Sequence, residues 1–228
     1  MCPLLKKQIS PLGYNTNIIA YIIRKNYSMH MTADYLSESY NFRDPLIYEQ
    51  VVLSLEKIFS VHHQELTKIT WFAQKIQEGF QRIDTFIRQA NQNVCPLCKD
   101  VCCIRKHGHY TYEDLVYLSA LGLRAPHLIV GGNDRDPCPY LLETGCSIER
   151  SRRPSHCNWY FCDSLLDYIE PQSTYREFDD SLRDVAELWI GMVEEFRKFS
   201  APLSVQCNHA KTDRCHCRQA ECRQIDPF

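Results

Sequence analysis

The sequence has no long hydrophobic run and almost no excess of charge of one sign. Its N-terminal apolar stretch, Ile18 to Ile23, is far shorter than the roughly 20 residues that span a bilayer. Arg24 and Lys25 follow this stretch directly, without the small-residue cleavage site of a secretion signal. The net charge of -2 argues against a general nucleic-acid binder. We therefore expect a cytoplasmic protein without a membrane or nucleic-acid partner, and leave a protein partner or substrate open.

The sequence also lacks the patterns of several enzyme classes. No Ser/His/Asp, paired-carboxylate or P-loop arrangement stands out among its residues. Glycine is scarce, with 8 among 228 residues, and we interpret the pair Gly131 and Gly132 as part of a plain loop rather than a cofactor-binding turn. Any catalysis would therefore have to occur at a metal centre. Whether the chain is an enzyme stays open at this point.

Cysteine is the residue type that the sequence has in excess, with 13 among 228 residues. A complete disulfide framework would leave one thiol unpaired, because 13 is an odd number. Disulfide-dense proteins are also usually small secreted chains without a sizeable core, whereas 44% of these residues are hydrophobic. In a reducing compartment, clustered cysteines indicate metal binding. We therefore predict that the cysteines bind metal rather than form disulfides.

The chain divides into three regions by composition and periodicity. Residues 1–44 mix polar and aromatic residues without a clear period, and are predicted to be a weakly ordered N-terminal segment. Residues 45–200 show helical periodicity and contain the cysteine-rich segment 95–162. Residues 201–228 are predicted to form a Cys/His-rich C-terminal tail.

The periodicity predicts mostly helices. Apolar residues recur at steps of three and four from Pro45 to near Asn91, which indicates a helical hairpin or one broken helix. A last amphipathic helix is predicted from about Phe178 to Phe199. The fold class is therefore mainly α: a helical hairpin and a C-terminal helix around an irregular cysteine-rich metal-binding core, with at most a small β-hairpin.

Two local signals subdivide the cysteine-rich segment. Thr111 followed by Asp114 predicts a capped helix start, and Gly122 predicts where that helix stops. The turn residues from Glu143 to Gly145 predict a small hairpin whose strands flank them.

Eight cysteines in this segment have spacings that suit metal ligands. The run Cys95-Pro-Leu-Cys98 allows two thiolates from one tight turn to bind one metal, with Zn–S bonds of about 2.3 Å. The adjacent Cys102 and Cys103 point in different directions, which favours two neighbouring sites or one cluster with a spare thiol. Four thiolates suit zinc and iron–sulfur clusters equally, so the metal stays open. The predicted ligands are Cys95, Cys98, Cys102, Cys103, Cys138, Cys146, Cys157 and Cys162.

The order of these cysteines resembles the YkgJ-type family, described as zinc- or iron-chelating domains with eight cysteines. The residues around them that carry the resemblance are Pro139, Leu142, Ile148, Arg153 and Pro154, with Thr111 and Asp114 where the family tends to have a Thr-x-x-Asp helix start. The resemblance covers the segment 95–162, roughly a third of the chain. It implies zinc or iron as the cofactor and the eight cysteines as its ligands, but it implies little about mechanism.

One departure from that family affects the pairing of thiols. Three residues, Lys99 to Val101, precede the Cys102-Cys103 pair where the family usually has two. The longer spacing is similar to that of the related flagellin lysine-N-methylases, which implies an iron–sulfur centre acting with S-adenosylmethionine. An iron–sulfur-dependent enzyme, either a protein lysine methylase or a redox protein, is therefore an alternative to a metal-binding protein without catalysis.

The predicted tail contains a second group of metal-binding residue types. Its cysteines are Cys207, Cys215, Cys217 and Cys222, with His209 and His216 among them. This spacing suits a third Cys/His site, or an exposed tail that takes up metal opportunistically. A metal carrier that uses the tail is thus a third functional alternative.

Histidines and arginines near the cysteines are interpreted as surface groups. His107, His109 and His156 lie beside cysteines in the sequence and are taken as loop residues rather than ligands. Arg150, Arg152 and Arg153 form a local basic patch, which we interpret as a solvated turn beside a buried aromatic residue rather than a phosphate or nucleic-acid site.

Overall fold

Amphipathic helices form the frame of the protein. The computed structural model describes residues 44–98, 103, 108–129, 136–143 and 145–210, with the side chains of the last helix described as far as residue 201. In chain order the elements are α1 (Pro45–Val61), α2 (Thr67–Val94), α3 (Tyr112–Ala120), β1 (Leu141–Leu142), β2 (Gly145–Cys146), α4 (Ser155–Trp159), α5 (Asp163–Ile169) and α6 (Tyr175–Ala210). The predicted mainly α fold with a small β-hairpin is confirmed.

The two longest helices pack against each other along one apolar face. α2 buries a stripe that includes Ile76, Phe80 and Ile83, which α6 covers with residues such as Val185. Gly79 permits this close approach, because a Cβ atom there would lie 2.2 Å from Cγ2 of Val185. The main partner of α2 is therefore α6, while α1 packs chiefly on α3.

Helix starts follow the signals in the sequence. The Asp44 side chain accepts a hydrogen bond from the Leu46 amide (2.8 Å) at the start of α1, where Pro45 has no amide hydrogen to satisfy. At α3 the Thr111 hydroxyl accepts from the Asp114 amide, while the Asp114 carboxylate accepts from the Thr111 amide. The predicted capping box at Thr111 is therefore confirmed, and α3 ends just before Gly122.

Three boundaries differ from the sequence prediction. The hairpin is tighter than expected, because Gly145 pairs with Leu142 instead of belonging to the turn. α6 begins before Phe178 and continues past Phe199. The short helices α4 and α5 were not predicted, since each is too short to show a period. None of the helices among the described residues is both long and apolar enough to cross a membrane.

Candidate metal centre

Buried tyrosines hold the loops around the cysteines in place. Each tyrosine hydroxyl donates a hydrogen bond to a main-chain carbonyl: Tyr48 to Pro126 (2.9 Å), Tyr140 to His127 (3.2 Å), Tyr117 to Ser151 (2.9 Å) and Tyr110 to Arg152 (2.7 Å). Burial is the main cause that raises the pKa of all four hydroxyls, so they remain protonated donors at neutral pH. Side chains therefore pair carbonyls in loops that have no regular backbone ladder.

A buried ion pair ties the cysteine segment to α2. Arg150 is only 7% exposed, and its guanidinium donates to the Asp84 carboxylate and to the Asn158 side chain (3.4 Å) on α4. Burial acts to raise the pKa of Asp84, yet the hydrogen bonds from Arg150 and Arg88 hold that pKa below its usual value. The pair is therefore charged at neutral pH, and it fixes α4 over the frame.

The interpretation of the arginines as a solvated basic turn is wrong for Arg150. Its charge is compensated by Asp84, 66 residues away in the sequence, which a local pattern does not reveal. Arg152 and Arg153 also have partners, because they donate to the main-chain carbonyls of Arg124 (3.0 Å) and Ile148 (2.8 Å). Arg150 thus pairs with a carboxylate on α2, whereas Arg152 and Arg153 donate to nearby main-chain carbonyls, so the three side chains do not form one basic patch.

Asp114 joins the start of α3 to the start of α4. One carboxylate oxygen accepts from the Thr111 amide and the other from the Ser155 amide, both at 2.8 Å. Burial raises the pKa of this carboxyl to about 6, although the hydrogen bonds act in the opposite direction. Because Ser155 lies two residues before Cys157, this contact helps to position the Cys157 side chain.

Three of the described cysteines follow these contacts along the chain. Cys138 precedes β1, Cys146 lies in β2 and Cys157 lies in α4. Burial, followed by the neighbouring thiols of Cys138 and Cys146, raises the pKa of Cys157 to about 12.

The sulfurs of Cys138 and Cys157 both lie next to Gly108. A Cβ atom on Gly108 would lie 3.8 Å from Sγ of Cys138 and 3.6 Å from Sγ of Cys157, so the two sulfurs are no farther apart than the sum of these distances. The first group of cysteines meets the second here, because the Cys138 amide donates to the Cys103 carbonyl (2.8 Å).

The remaining described cysteines occupy separate positions. Cys95 begins a 3-10 turn after α2, and the Cys98 amide donates to the Cys95 carbonyl (3.2 Å), which forms the tight turn expected of the Cys-x-x-Cys spacing. Cys162 directly precedes α5. No disulfide joins any two of the seven described cysteines.

The described residues supply suitable donors for a metal but not a complete site. Within them, no three or more His, Cys, Asp or Glu side chains lie close enough together to hold a metal ion. His109 and His156 are described and exposed to solvent. The predicted ligands outside the described residues or side chains are Cys102, Cys207, Cys215, Cys217 and Cys222, and the candidate histidines outside them are His107, His209 and His216. What the structure offers is a set of thiols, which zinc and iron both accept as ligands. Two of these thiols, Cys138 and Cys157, lie beside Gly108.

Sequence reasoning missed three kinds of residue that support this region. The sequence could have drawn attention to Gly108, since it is one of only 8 glycines and closely follows the Cys102-Cys103 pair. The Asp84 carboxylate and the tyrosine hydroxyls had no local signal in the sequence, because their partners lie between 13 and 78 residues away.

Comparison of the chain with family models, curated proteins and solved structures gave no match. We therefore argue function from the residues of the site itself.

Proposed function

We propose that this chain is a metal-binding protein of a reducing compartment, whose cysteines between Cys95 and Cys162 hold zinc or iron. The observation that carries the proposal is that Cys138 and Cys157, which come from different parts of the segment, both place their sulfurs beside Gly108. Free cysteines are often buried as small apolar residues. However, Cys138 and Cys157 bring their sulfurs to the same glycine from different elements, and thiols gathered from separate parts of a chain are typical of metal sites.

The proposed ligands are the eight cysteines of the segment, with the tail cysteines as a further site. This ligand set is supported by the Cys95–Cys98 turn, by the Cys103–Cys138 backbone contact and by the resemblance to the YkgJ-type family. A site closed by four thiolates leaves no position for a water molecule, so it favours a structural role or electron transfer over hydrolysis. The metal, when bound, would supply either folding energy or an electron-transfer centre.

The contacts around the cysteines give this chain's own residues defined roles. Asp114 and the Arg150–Asp84 pair hold α4 and therefore Cys157. The hydroxyl of Tyr117 holds the turn that precedes α4. Because these groups act without a metal, we expect the second half of the segment to keep its position when metal is removed.

Serine substitutions test the ligand set. We expect Cys157→Ser and Cys98→Ser to lower the metal content of protein purified without oxygen, because a hydroxyl is a poor ligand for zinc or iron where a thiolate is preferred. Cys2→Ser is the matched control, since Cys2 belongs to neither proposed group, and it should leave the metal content unchanged. Unaltered metal stoichiometry in both Cys157→Ser and Cys98→Ser would refute the ligand set.

A further inference from the structure

Helix α1 is apolar on its outer side as well as on the side that it buries. The buried side carries Tyr48, Val51, Val52 and Leu55. On the outer side, Leu46, Leu53 and Val61 are each more than half exposed. Their spacing of seven and eight residues is close to two helical turns, so they follow one another along the helix. The helix thus presents to solvent three aliphatic side chains that no described element covers.

The charged residues of α1 do not interrupt this apolar side. The two glutamates point to one flank of the helix, where nitrogen–oxygen distances of 3.0 and 3.9 Å separate Arg124 from Glu49 and Glu56. Lys57 is therefore the one charged residue among the exposed positions of α1, whereas the exposed positions of α6 between residues 175 and 200 are all charged. Because a helix that is apolar all round is normally covered all round, the outer side of α1 requires a cover.

The chain itself contains an apolar segment that suits this side. Ile18 to Ile23 is the longest apolar run of residues 1–43, which lie outside the described residues. Its four isoleucines form two pairs at steps of four residues, the spacing that gives a helix an apolar side. The run is too short to span a membrane, so a protein surface is the cover that fits its apolar residues.

The chain between this run and α1 is long enough to return along the helix. The 20 residues from 24 to 43 reach up to about 65 Å when extended, whereas the 17 residues of α1 extend about 25 Å. Such a tether holds the run near α1 at a local concentration on the order of millimolar, so a small apolar contact is sufficient. A second copy or another protein would have to make the same contact from a much lower concentration.

We infer that the run Ile18–Ile23 docks on the outer side of α1, over Leu53. Leu53 lies in the middle of that side, and six residues in a helix extend about 9 Å, so a run centred there has α1 beneath its whole length. Leu46 and Val61 lie roughly 10–12 Å from Leu53 along the helix and therefore beyond the contact. The contact involves none of the cysteines from 95 to 162, so it goes beyond the proposed function and stands independently of it.

Trypsin cleavage tests this contact in the full chain, because Arg24 and Lys25 directly follow the run. Leu53→Ser removes the apolar side chain from α1, and Ile129→Ser is the matched control, since Ile129 is 54% exposed and Leu53 is 53% exposed. We expect cleavage after Arg24 and Lys25 to be at least about threefold faster in Leu53→Ser, because the cleavage rate follows the population of the released segment. Ile129→Ser should be cleaved there at the rate of the unaltered protein.

A double-mutant cycle tests whether the run itself is the occupant. Ile22→Ser and Leu53→Ser should each lower the urea midpoint of unfolding, and together they should lower it by less than the sum of the two shifts, since both remove the same contact. Additive shifts or none, or a cleavage rate unchanged by Leu53→Ser, would overturn the inference. A chain that sediments as a dimer, and as a monomer in Leu53→Ser, would also overturn it, because a second copy would then cover this side. None of these results concerns metal content, so the serine substitutions of the cysteines judge the proposed function separately.

Discussion

The helical frame and the cysteine segment are held together by different forces. In the frame, α2 and α6 bury apolar faces against each other, and the backbone hydrogen bonds lie within the helices, while Lys68 and Glu195 pair across them at the surface (3.1 Å). In the segment from 136 to 162 there is little regular structure, and the backbone is fixed by side chains such as Arg150, Asp114 and Tyr117. The frame therefore depends on hydrophobic burial, whereas the segment depends on individual polar contacts.

This difference bears on how the thiols are positioned. Cys157 and Cys138 lie in the part of the chain that the polar contacts reach, so they can be held near each other before any metal is bound. Preorganised ligands cost less ordering entropy when a metal binds. The same contacts can be removed one at a time, which allows the two regions to be separated by mutation.

The largest loss of stability is expected for Phe80→Ala, which removes a buried ring from the core of the helical frame. Phe80 is fully buried, and its ring packs on those of Tyr117 and Trp159, so the substitution leaves a cavity beneath the cysteine segment. We expect the free energy of unfolding to fall by about 3–5 kcal/mol in a urea titration. Leu46→Ala is the control, because Leu46 is 75% exposed, and it should change stability by less than about 0.5 kcal/mol. Equal effects of the two substitutions would contradict the described core.

A smaller loss of stability is expected for Asp84→Ala, which breaks the ion pair that links the two regions. This substitution leaves the buried Arg150 cation without its carboxylate, which costs about 3 kcal/mol in typical proteins. Arg88→Ala removes the other, exposed partner of the same carboxylate and should cost no more than about 0.5 kcal/mol. Chemical denaturation of both variants at one pH measures the difference. If Arg88→Ala proves as harmful as Asp84→Ala, Arg150 is not the group that needs the carboxylate.

The smallest effect is predicted for a single hydroxyl in the segment. Tyr117→Phe removes the donor to the Ser151 carbonyl and should cost about 1 kcal/mol. Tyr175→Phe is a matched control, because its buried hydroxyl has no hydrogen-bond partner among the described residues, so its removal should be neutral or slightly stabilising. Thermal melts of the two variants provide the comparison. A Tyr117→Phe variant as stable as the unaltered protein would show that the loop carbonyl does not need this donor.

The parts of the fold that sequence reasoning predicted are those that local physics determines. The Thr111–Asp114 capping box involves residues three apart, and the apolar stripe of α2 repeats along one helix, so both appear in the sequence itself. The hairpin was predicted, but Gly145 was assigned to the turn, because two-residue strands carry too few side chains to define a register.

The parts that were missed depend on partners distant in sequence. Arg150 was taken for a solvated residue because Glu149 lies beside it in the sequence and the net charge is negative, whereas Asp84 is its partner in space. The position of Cys157 next to Cys138 likewise follows from the placement of α4, which no periodicity indicated. For the candidate site, the sequence predicts which residue types bind metal, and the structure adds which of the thiols lie close together.

Elemental analysis and an absorption spectrum of the full chain, purified without oxygen, test the central claim most directly. The account predicts zinc or iron bound to the protein, with the metal lost when the cysteines are substituted. Iron with labile sulfide and a broad band near about 400 nm would indicate an iron–sulfur centre, and zinc with a featureless visible spectrum would indicate a structural site. Protein that contains neither metal, and takes up neither when supplied with them, would contradict the account.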